Sequence, residues 1–258
     1  MKRSLVPYLL TAAVLVFLYL PVLVLVANSF NASRFGGQWE GFSLHWYQRL
    51  MERREIWHAL GNTLIVAVSA TAVSTVLGTT AALALHHWRG GLQQAHYALV
   101  CLPLVVPEIL TGISLLLFFV ALGVQLGLTT IFLAHVSFCI SYVAMVVLAR
   151  LQDFDDALLE AARDLGANGW QAATSVLLPL LAPGIVAGAL LAFTLSIDDF
   201  VISFFVAGPG ATTLPIRIYS MIKHGEPPLI NALSTLLIVV TFAAVWASQE
   251  LIKDRRNP

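Results

Sequence analysis

Charged residues are scarce in this sequence. Lysine, arginine, aspartate and glutamate together make up 11% of its 258 residues, whereas about a quarter of an ordinary soluble domain is charged. This scarcity argues against a soluble globular protein. The formal net charge is zero, so the basic excess expected of a nucleic-acid-binding protein is missing as well.

Cysteine and phosphate-binding motifs are equally sparse. The two cysteines, Cys101 and Cys139, fall inside apolar runs and are too few for a disulfide framework, so we interpret them as packing residues. No G-x-x-x-x-G-K-[ST] motif occurs, and we therefore expect a chain that binds no cofactor and does not hydrolyse ATP by itself. His86, His87 and His96 flank one loop without a cysteine or carboxylate partner, so no metal site is predicted.

Long apolar runs make up most of the chain. Hydrophobic residues account for 59% of the sequence, and its mean hydropathy is +0.84. A helix needs roughly 20 apolar residues to cross the hydrocarbon core of a membrane, and runs of this length occupy 6–28, 61–85, 97–122, 128–148, 180–205 and 230–251. A segment in lipid must satisfy its own backbone hydrogen bonds, as a helix does. The sequence therefore predicts an all-α integral membrane six-helix bundle that forms a single transmembrane domain over 1–258.

Basic residues near the chain ends predict the orientation. Lys2 and Arg3 precede the first span, and a cluster from Lys253 to Arg256 follows the last one, which favours both termini on the cytoplasmic side. We accordingly expect 28–60 and 207–229 to be outside loops. The same topology makes 151–179 a cytoplasmic segment.

The cytoplasmic segment has the features of two short helices joined at a corner. Residues 157–165 are strong helix formers, Gly166 suits the C′ position that ends a helix, and Asn168 suits the cap of a second helix. Pro179 marks the entry to the fifth span. Two interpretations stay open at this point: an amphipathic connector that lies on the bilayer, or a helix that fits a groove on another protein.

A family motif lies within this segment. Glu160-Ala161-Ala162, then three residues, Gly166, nine residues and the run from Val176 to Pro179 resemble the cytoplasmic "EAA" loop of permease subunits in ATP-binding-cassette (ABC) importers. The family pattern has isoleucine where Val176 stands. The resemblance covers essentially the whole chain and implies a type I ABC importer permease-like fold in a bacterial inner membrane.

The resemblance also implies partners. In that family, the loop forms coupling helices that dock in a cleft of an ATPase subunit. The resemblance therefore implies a role in ATPase coupling for Glu160, Ala161, Ala162, Asp164 and Gly166. Implied partners are a second permease subunit in a heterodimer, two copies of an ATP-binding subunit that hold the ATP and Mg, and a periplasmic binding protein. Membrane lipid surrounds the spans.

Three carboxyl groups lie at membrane depth, where each costs roughly 2.5–3.5 kcal/mol or more. Glu108 lies near mid-membrane in the third span, beside Pro103 and Pro107, which can kink a helix. Asp198 and Asp199 lie toward the outer end of the fifth span and point ~100° apart on a helix, so we expect only one of them to line a pathway. Acidic groups along a route suit a cationic solute. A protonated Glu108 and solvated surface aspartates are the alternatives.

A second resemblance names the solute class. The stretches "NSFNASRF", "FTLSIDDFVISFFVAGPG" and "LPIRIYSMIKHG" are similar to those in permease subunits of spermidine and putrescine importers. This implies a substrate pathway lined by Glu108, Asp198 and Asp199, with Phe204 and Tyr219 offering aromatic faces to a polyamine, and a periplasmic protein that binds polyamines. The resemblance leaves the order of spermidine and putrescine open.

Other functions remain as alternatives. The same fold could import another solute such as thiamine or iron, whereas an oxyanion fits poorly because the spans have no interior lysine or arginine. A secondary transporter that needs no ATPase would show paired broken helices, and no matched pair is recognisable in the sequence. A structural scaffold would not need three intramembrane carboxyls. We interpret His135, in the fourth span, as a hydrogen-bonded core histidine rather than a proton relay.

Overall fold

The computed structural model describes residues 6–34, 38–87 and 90–254, and in these ranges the chain is helical without a β-strand. An isolated β-bridge joins Asn31 and Phe42. The helices are α1 Val6–Ser29, α2 His45–Glu52, α3 Arg54–His87, α4 Gln93–Val105, α5 Glu108–Ala121, α6 Leu128–Gln152, α7 Ala157–Asp164, α8 Gly169–Ala172, α9 Leu178–Asp198, α10 Val201–Val206, α11 Leu214–Lys223 and α12 Pro227–Asp254. The all-α prediction is confirmed, although short helices raise the number of helices above the six predicted spans.

The chain forms two compact units. One comprises the described residues of Met1–Trp57 and Arg217–Pro258, in which α1 packs along α12 and α2 packs against α12. The other is His58–Ile216, in which α6 packs against α4, α9 and α10. The hydrophobic core of the second unit centres on α6, whose Val143 and Val147 are fully buried.

Small residues let helices approach α6 closely. A Cβ added to Gly78 of α3 would lie 2.7 Å from the Val143 Cβ atom, and one added to Gly188 of α9 would lie 3.3 Å from Val143 Cγ1. Membrane helices associate largely through such close contact, since lipid removes the hydrophobic drive between them. The glycines on both sides therefore keep α6 at the centre of this unit.

The predicted third span, 97–122, is two helices rather than one. Helix α4 ends at Val105, α5 begins at Glu108, and their axes differ by 109°. Proline disfavours the helical conformation in the residue before it, and Val106, which precedes Pro107, has ψ of 130°. Pro107 itself is tolerated at the start of α5, where its missing N–H is not needed.

The predicted fifth span, 180–205, also differs in its bounds. The helical run begins earlier, at Gly169, and continues through a five-residue π-helical turn, Ala173–Leu177, into α9. Pro179 follows this wider turn, which accommodates a ring that would clash with the carbonyl four residues earlier. The run ends at Asp198, and Asp199 is extended, with ψ of 122°, before α10 begins at Val201.

Several helices are long and apolar enough to cross a membrane. Among the described residues four qualify alone: Pro7–Ser29, Arg54–His87, Leu128–Gln152 and Gly169–Asp198. Counting the bent pair α4 and α5 as one span gives five, and the apolar part of α12, Pro227–Ala243, is shorter. The two interrupted spans, at Pro107 and at Asp199, carry all three of the predicted intramembrane carboxyls at their breaks.

Candidate functional site

A cavity of about 270 Å³ lies where the two interrupted spans meet α6. Its walls come from the end of α4, the start of α5, one face of α6 and the α9–α10 joint. The lining residues are Pro103, Val106, Glu108, Thr111, Phe138, Tyr142, Leu195, Asp198, Asp199, Phe200, Val201 and Ile202. Non-helical backbone at membrane depth is tolerated where it lines a cavity or is buried in protein, so the breaks and the cavity are parts of one arrangement.

Glu108 and Asp198 present carboxyl groups to this cavity from different helices. Glu108 occupies the first turn of α5, where the helix dipole favours a negative charge. Asp198 is the last residue of α9, where the dipole disfavours one. Both residues are exposed. A carboxylate at the unfavourable end of a helix, open to a cavity, is well suited to attract a cation.

Hydrogen bonds to the start of α10 hold the Asp199 carboxylate. Its Oδ1 accepts the backbone N–H of Ile202 at 3.2 Å, and its Oδ2 accepts that of Ser203 at 2.8 Å. N–H groups in the first turn of a helix have no partner within the helix, and a side-chain oxygen commonly caps them. The side chain is only 6% exposed. Of the two aspartates, Asp198 is therefore the one whose carboxyl group is open to a solute.

His135 of α6 makes hydrogen bonds to α9, to Asp199 at the break and to α10. Its Nδ1 lies 2.7 Å from Ser196 Oγ on α9, and its Nε2 lies 3.2 Å from Asp199 Oδ2 and 3.0 Å from Ser203 Oγ on α10. The residue is 1% exposed. The prediction of a hydrogen-bonded core histidine is confirmed, and its contact with Asp199 further stabilises that carboxylate.

Aromatic side chains from α6 and from the break complete the walls. The rings of Phe138 and Tyr142 meet edge to face with centroids 6.5 Å apart, and Phe200 lines the cavity beside them. Phe138 and Tyr142 were not among the site residues predicted from the sequence. Their spacing from His135, three and seven residues, is that of one helix face and was the available signal.

Two predicted pathway residues lie elsewhere. Phe204 is on α10, half-exposed, with its ring centroid 5.4 Å from Phe200 and 5.9 Å from Phe205, and does not line the cavity. Tyr219 is on α11 in the other unit, where the Lys223 Nζ atom lies 5.5 Å from the ring centroid. The structure thus brings together Glu108, Asp198 and Asp199 and leaves both aromatic residues out of that group.

The predicted coupling segment forms two helices around a glycine corner. Gly166 has φ of +91°, a conformation that glycine adopts without the strain of a Cβ atom. The N–H of Gly166 bonds to the Arg163 carbonyl at 2.9 Å and that of Ala167 to the Ala162 carbonyl at 3.0 Å, which is the Schellman ending of a helix. The predicted C′ glycine is confirmed, and its role in coupling stays a prediction.

Asn168 starts the second helix of this segment. Its side chain accepts the Gln171 N–H at 2.8 Å, and the Gln171 side chain accepts the Asn168 N–H at 2.9 Å. This reciprocal pair is a capping box. The corner from Gly166 to Asn168 is thereby defined on both sides by local hydrogen bonds.

The coupling segment exposes apolar side chains. Leu165 is 91% exposed and Trp170 is 76% exposed, whereas Leu159 of α7 is buried in the core. Of the motif residues, Glu160, Ala161, Asp164 and Gly166 are exposed and Ala162 is half-buried. Large apolar groups beside a polar helix are typical of a surface that another protein covers.

Metal ligation finds no support in the described part of the chain. No three histidine, cysteine, aspartate or glutamate side chains there are grouped closely enough to hold a metal ion.

Comparison with known proteins gives consistent matches. The family described as binding-protein-dependent transport system inner membrane component matches residues 74–255. The spermidine/putrescine transport system permease protein PotC of Escherichia coli strain K12 is 40% identical over 243 residues, which cover 94% of this chain and 92% of that protein. The putrescine transport system permease protein PotI of the same strain is 43% identical over 252 residues, covering 93% and 89% respectively.

The fold has a counterpart among solved structures. A chain in the crystal structure of a bacterial ABC transporter involved in the import of the acidic polysaccharide alginate superposes with a TM-score of 0.76. The match covers 97% of this chain and 98% of that chain at 16% sequence identity. At this identity the likeness concerns the fold alone.

Proposed function

Since the chain belongs to the family of binding-protein-dependent transport system inner membrane components and is a permease subunit of an ABC importer, we propose that the solute it passes is a polyamine, spermidine or putrescine. The observation that carries this proposal is the cavity between the interrupted spans, to which Glu108 and Asp198 present their carboxyl groups. The names of the relatives PotC and PotI support the same solute class.

The lining of the cavity suits a polyamine in two ways. Polyamines carry several positive charges along an apolar chain, so they need anionic groups separated by apolar surface. Glu108 and Asp198 supply the charge, while Phe138, Tyr142 and Phe200 supply aromatic faces that attract ammonium groups. No lysine or arginine is among the described residues that line the cavity, so nothing there repels a cation.

Asp199 and His135 hold the cavity in shape. Because the Asp199 carboxylate caps α10 and contacts His135, it fixes the direction in which α10 leaves the break. We therefore assign solute contact to Asp198 and Glu108, and a positioning role to Asp199. Phe204 and Tyr219 remain candidates for contact in another state of the transport cycle.

Partners supply the energy and deliver the solute. We propose a heterodimer with a second permease subunit, two copies of an ATP-binding subunit that hold ATP and Mg, and a periplasmic protein that delivers the polyamine. The exposed Leu165 and Trp170 support a docking surface for the ATP-binding subunit along α7 and α8. Glu160, Ala161, Ala162, Asp164 and Gly166 form the stiff corner of this surface.

The mechanism that fits this arrangement is alternating access. Closure of the ATP-binding subunits rotates α7 and α8, and the attached spans swing between inward-open and outward-open states. The charge of the solute is offset in transit by Glu108 and Asp198. With α7 and α8 in the cytoplasm, both chain termini lie on that side of the inner membrane.

The interrupted spans also resemble a feature of secondary transporters, whose binding sites are often built from broken helices. Here, however, the family membership and the coupling segment both favour an importer driven by ATP. Co-purification separates the two classes. An ATP-binding subunit that stays with the wild-type chain and is lost when 160–166 is scrambled supports the importer; undiminished uptake by the scrambled chain contradicts it.

Uptake tests the solute. Cells that lack other polyamine transporters would carry the importer with Glu108→Gln or Asp198→Asn, and labelled spermidine and putrescine uptake would be measured per copy of the chain. We expect both variants to lower uptake about tenfold, since a hydrogen bond to a charged group contributes roughly 1.5–3 kcal/mol. Wild-type uptake by both variants would contradict the proposal, and so would transport of a neutral solute in preference to a polyamine.

A further inference from the structure

A second polar cavity lies in the unit formed by α1, α2, α11 and α12. It measures about 90 Å³ and is rich in cationic side chains. The lining residues that matter are Arg34, Trp46, Arg49, Arg53, His224 and Glu226. The mechanism proposed above does not use this cavity, and it involves neither Glu108 nor Asp198.

The cavity carries an excess of positive charge. The guanidinium groups of Arg49 and Arg53 lie in the lining with one carboxylate, Glu226, whose Oε1 accepts a hydrogen bond from Arg53 Nη2 at 3.1 Å. The Arg49 guanidinium lies 5.5 Å from the Trp46 ring centroid, and among the described residues it has no carboxylate partner. Stacking of this kind leaves the N–H edge of a guanidinium available to an anion.

The indole against which the exposed Arg49 side chain packs, that of Trp46, is fixed by the fold. Trp46 is buried, and its indole N–H donates to the Asn31 carbonyl at 2.9 Å. Asn31 is itself fixed, since its side chain donates to the Gln38 carbonyl at 2.8 Å and accepts from the Glu40 N–H at 3.0 Å. The arginine therefore rests on an ordered platform.

The position of the cavity indicates the kind of anion. Pro228 and Leu229, in the first turn of α12, form part of the lining, and Arg34 follows closely after α1 ends at Ser29. Helices α1 and α12 pack together and are both apolar, so the cavity lies where a membrane span reaches the lipid headgroups. Helix α1, which packs along α12, exposes large apolar side chains along its length, among them Leu20 and Leu23.

From this combination we propose that the cavity binds the phosphate of an anionic phospholipid headgroup, with the acyl chains along the exposed surface of α1. Arg49 and Arg53 offer the planar donors that match phosphate oxygens. Basic pockets between membrane helices bind anionic headgroups on the cytoplasmic side of other proteins, and the same charge pairing applies to a pocket on the outer side. A free anion would gain nothing from the adjoining apolar helix.

The test is lipid retention by the intact importer. The complex would be purified in detergent, stripped of lipid and titrated with phosphatidylglycerol, and bound lipid would be counted by native mass spectrometry. Phosphatidylcholine with the same acyl chains and glycerol phosphate without acyl chains would serve as comparison probes. We expect tight retention of phosphatidylglycerol only, and a loss of about tenfold or more in affinity for Arg49→Gln.

Two further variants keep the result interpretable. Arg54→Gln removes an exposed arginine that does not line the cavity, and should retain the lipid as wild type does. Arg49→Lys keeps the charge without the planar fork and should recover part of the affinity. If Arg49→Gln reduces the yield of the complex, the lipid affinity of Arg49→Lys is compared with that of Arg54→Gln. A lower affinity in Arg49→Lys supports the proposal, and equal affinity contradicts it.

Other outcomes would overturn the proposal. Equal displacement by glycerol phosphate would mean a free anion site, and equal retention of phosphatidylcholine would mean that charge is not recognised. Unchanged retention in Arg49→Gln, together with weaker binding of the periplasmic protein, would mean that the arginines contact an acidic surface of that protein instead.

Discussion

Asp198 and Asp199 are adjacent in sequence, yet the structure predicts that the same substitution at each has a different effect. Asp198→Asn removes a charge from an exposed side chain that lines the cavity. Asp199→Asn removes a charge from a nearly buried carboxylate that accepts two backbone N–H groups and contacts His135. The first variant should therefore impair transport, and the second should impair folding.

The magnitudes follow from burial. A charge-assisted hydrogen bond contributes roughly 1.5–3 kcal/mol, and the lower end applies to Asp198 because water screens its exposed carboxylate. About 1.4 kcal/mol corresponds to a tenfold change, so we expect uptake per copy to fall about tenfold in Asp198→Asn. The Asp199 carboxylate accepts two backbone N–H groups, and each hydrogen bond to a charged group contributes roughly 1.5–3 kcal/mol, so weakening them removes a large part of the stability of a typical domain.

The assay measures both quantities in the same cells. Labelled spermidine uptake gives transport, and quantitative immunoblotting of the membrane fraction gives the number of copies. We expect Asp198→Asn at wild-type abundance with reduced uptake per copy, and Asp199→Asn at strongly reduced abundance. Uptake per copy equal to wild type in Asp198→Asn would refute the reasoning, and so would a loss of abundance that is the same for both variants.

Three further predictions concern the scaffold and the coupling segment. Gly166→Val should strain a residue at φ +91° by about 1–2 kcal/mol and so reduce ATP-driven uptake at constant copy number. Gly169→Val, at an ordinary φ with open space around it, should transport normally, and equal uptake by the two variants would contradict a coupling role for the Gly166 corner. Gly208→Ala would put a Cβ atom 1.8 Å from the Leu126 carbonyl oxygen, so the abundance of this variant, measured by immunoblotting, should fall strongly. Gly91→Ala, which has open space around the new methyl group, should keep wild-type abundance, and equal abundance of the two variants would contradict the prediction. Trp170→Ala should reduce the amount of co-purifying ATP-binding subunit, because a 76% exposed indole loses contact area that only a partner can supply; an unchanged amount of that subunit would argue against docking there.

Local rules were sufficient wherever neighbouring residues determine the conformation. Gly166 and Asn168 could be predicted as a helix end and a helix start because each role depends on the backbone within a few residues. The buried, hydrogen-bonded state of His135 could also be predicted, since a polar ring at membrane depth must find partners. Its partners could not, because Ser196 and Ser203 lie on other helices.

The cavity itself could not be predicted from the sequence. Pro103 and Pro107 indicated a kink, but the 109° bend depends on how α5 packs against α10. No proline or glycine in the sequence marks the break after Asp198. The hydrogen bond from the Ser203 N–H to Asp199 stabilises the start of α10 there. Phe138 and Tyr142 join the cavity only because both breaks face the same side of α6, which is a property of the tertiary fold.

The structure of the intact importer trapped during spermidine transport would show directly whether the polyamine passes through this cavity. We expect density for the polyamine in the cavity between the interrupted spans, with its ammonium groups within hydrogen-bond distance of Glu108 and Asp198. Polyamine density on a route through the importer that bypasses this cavity would contradict this expectation.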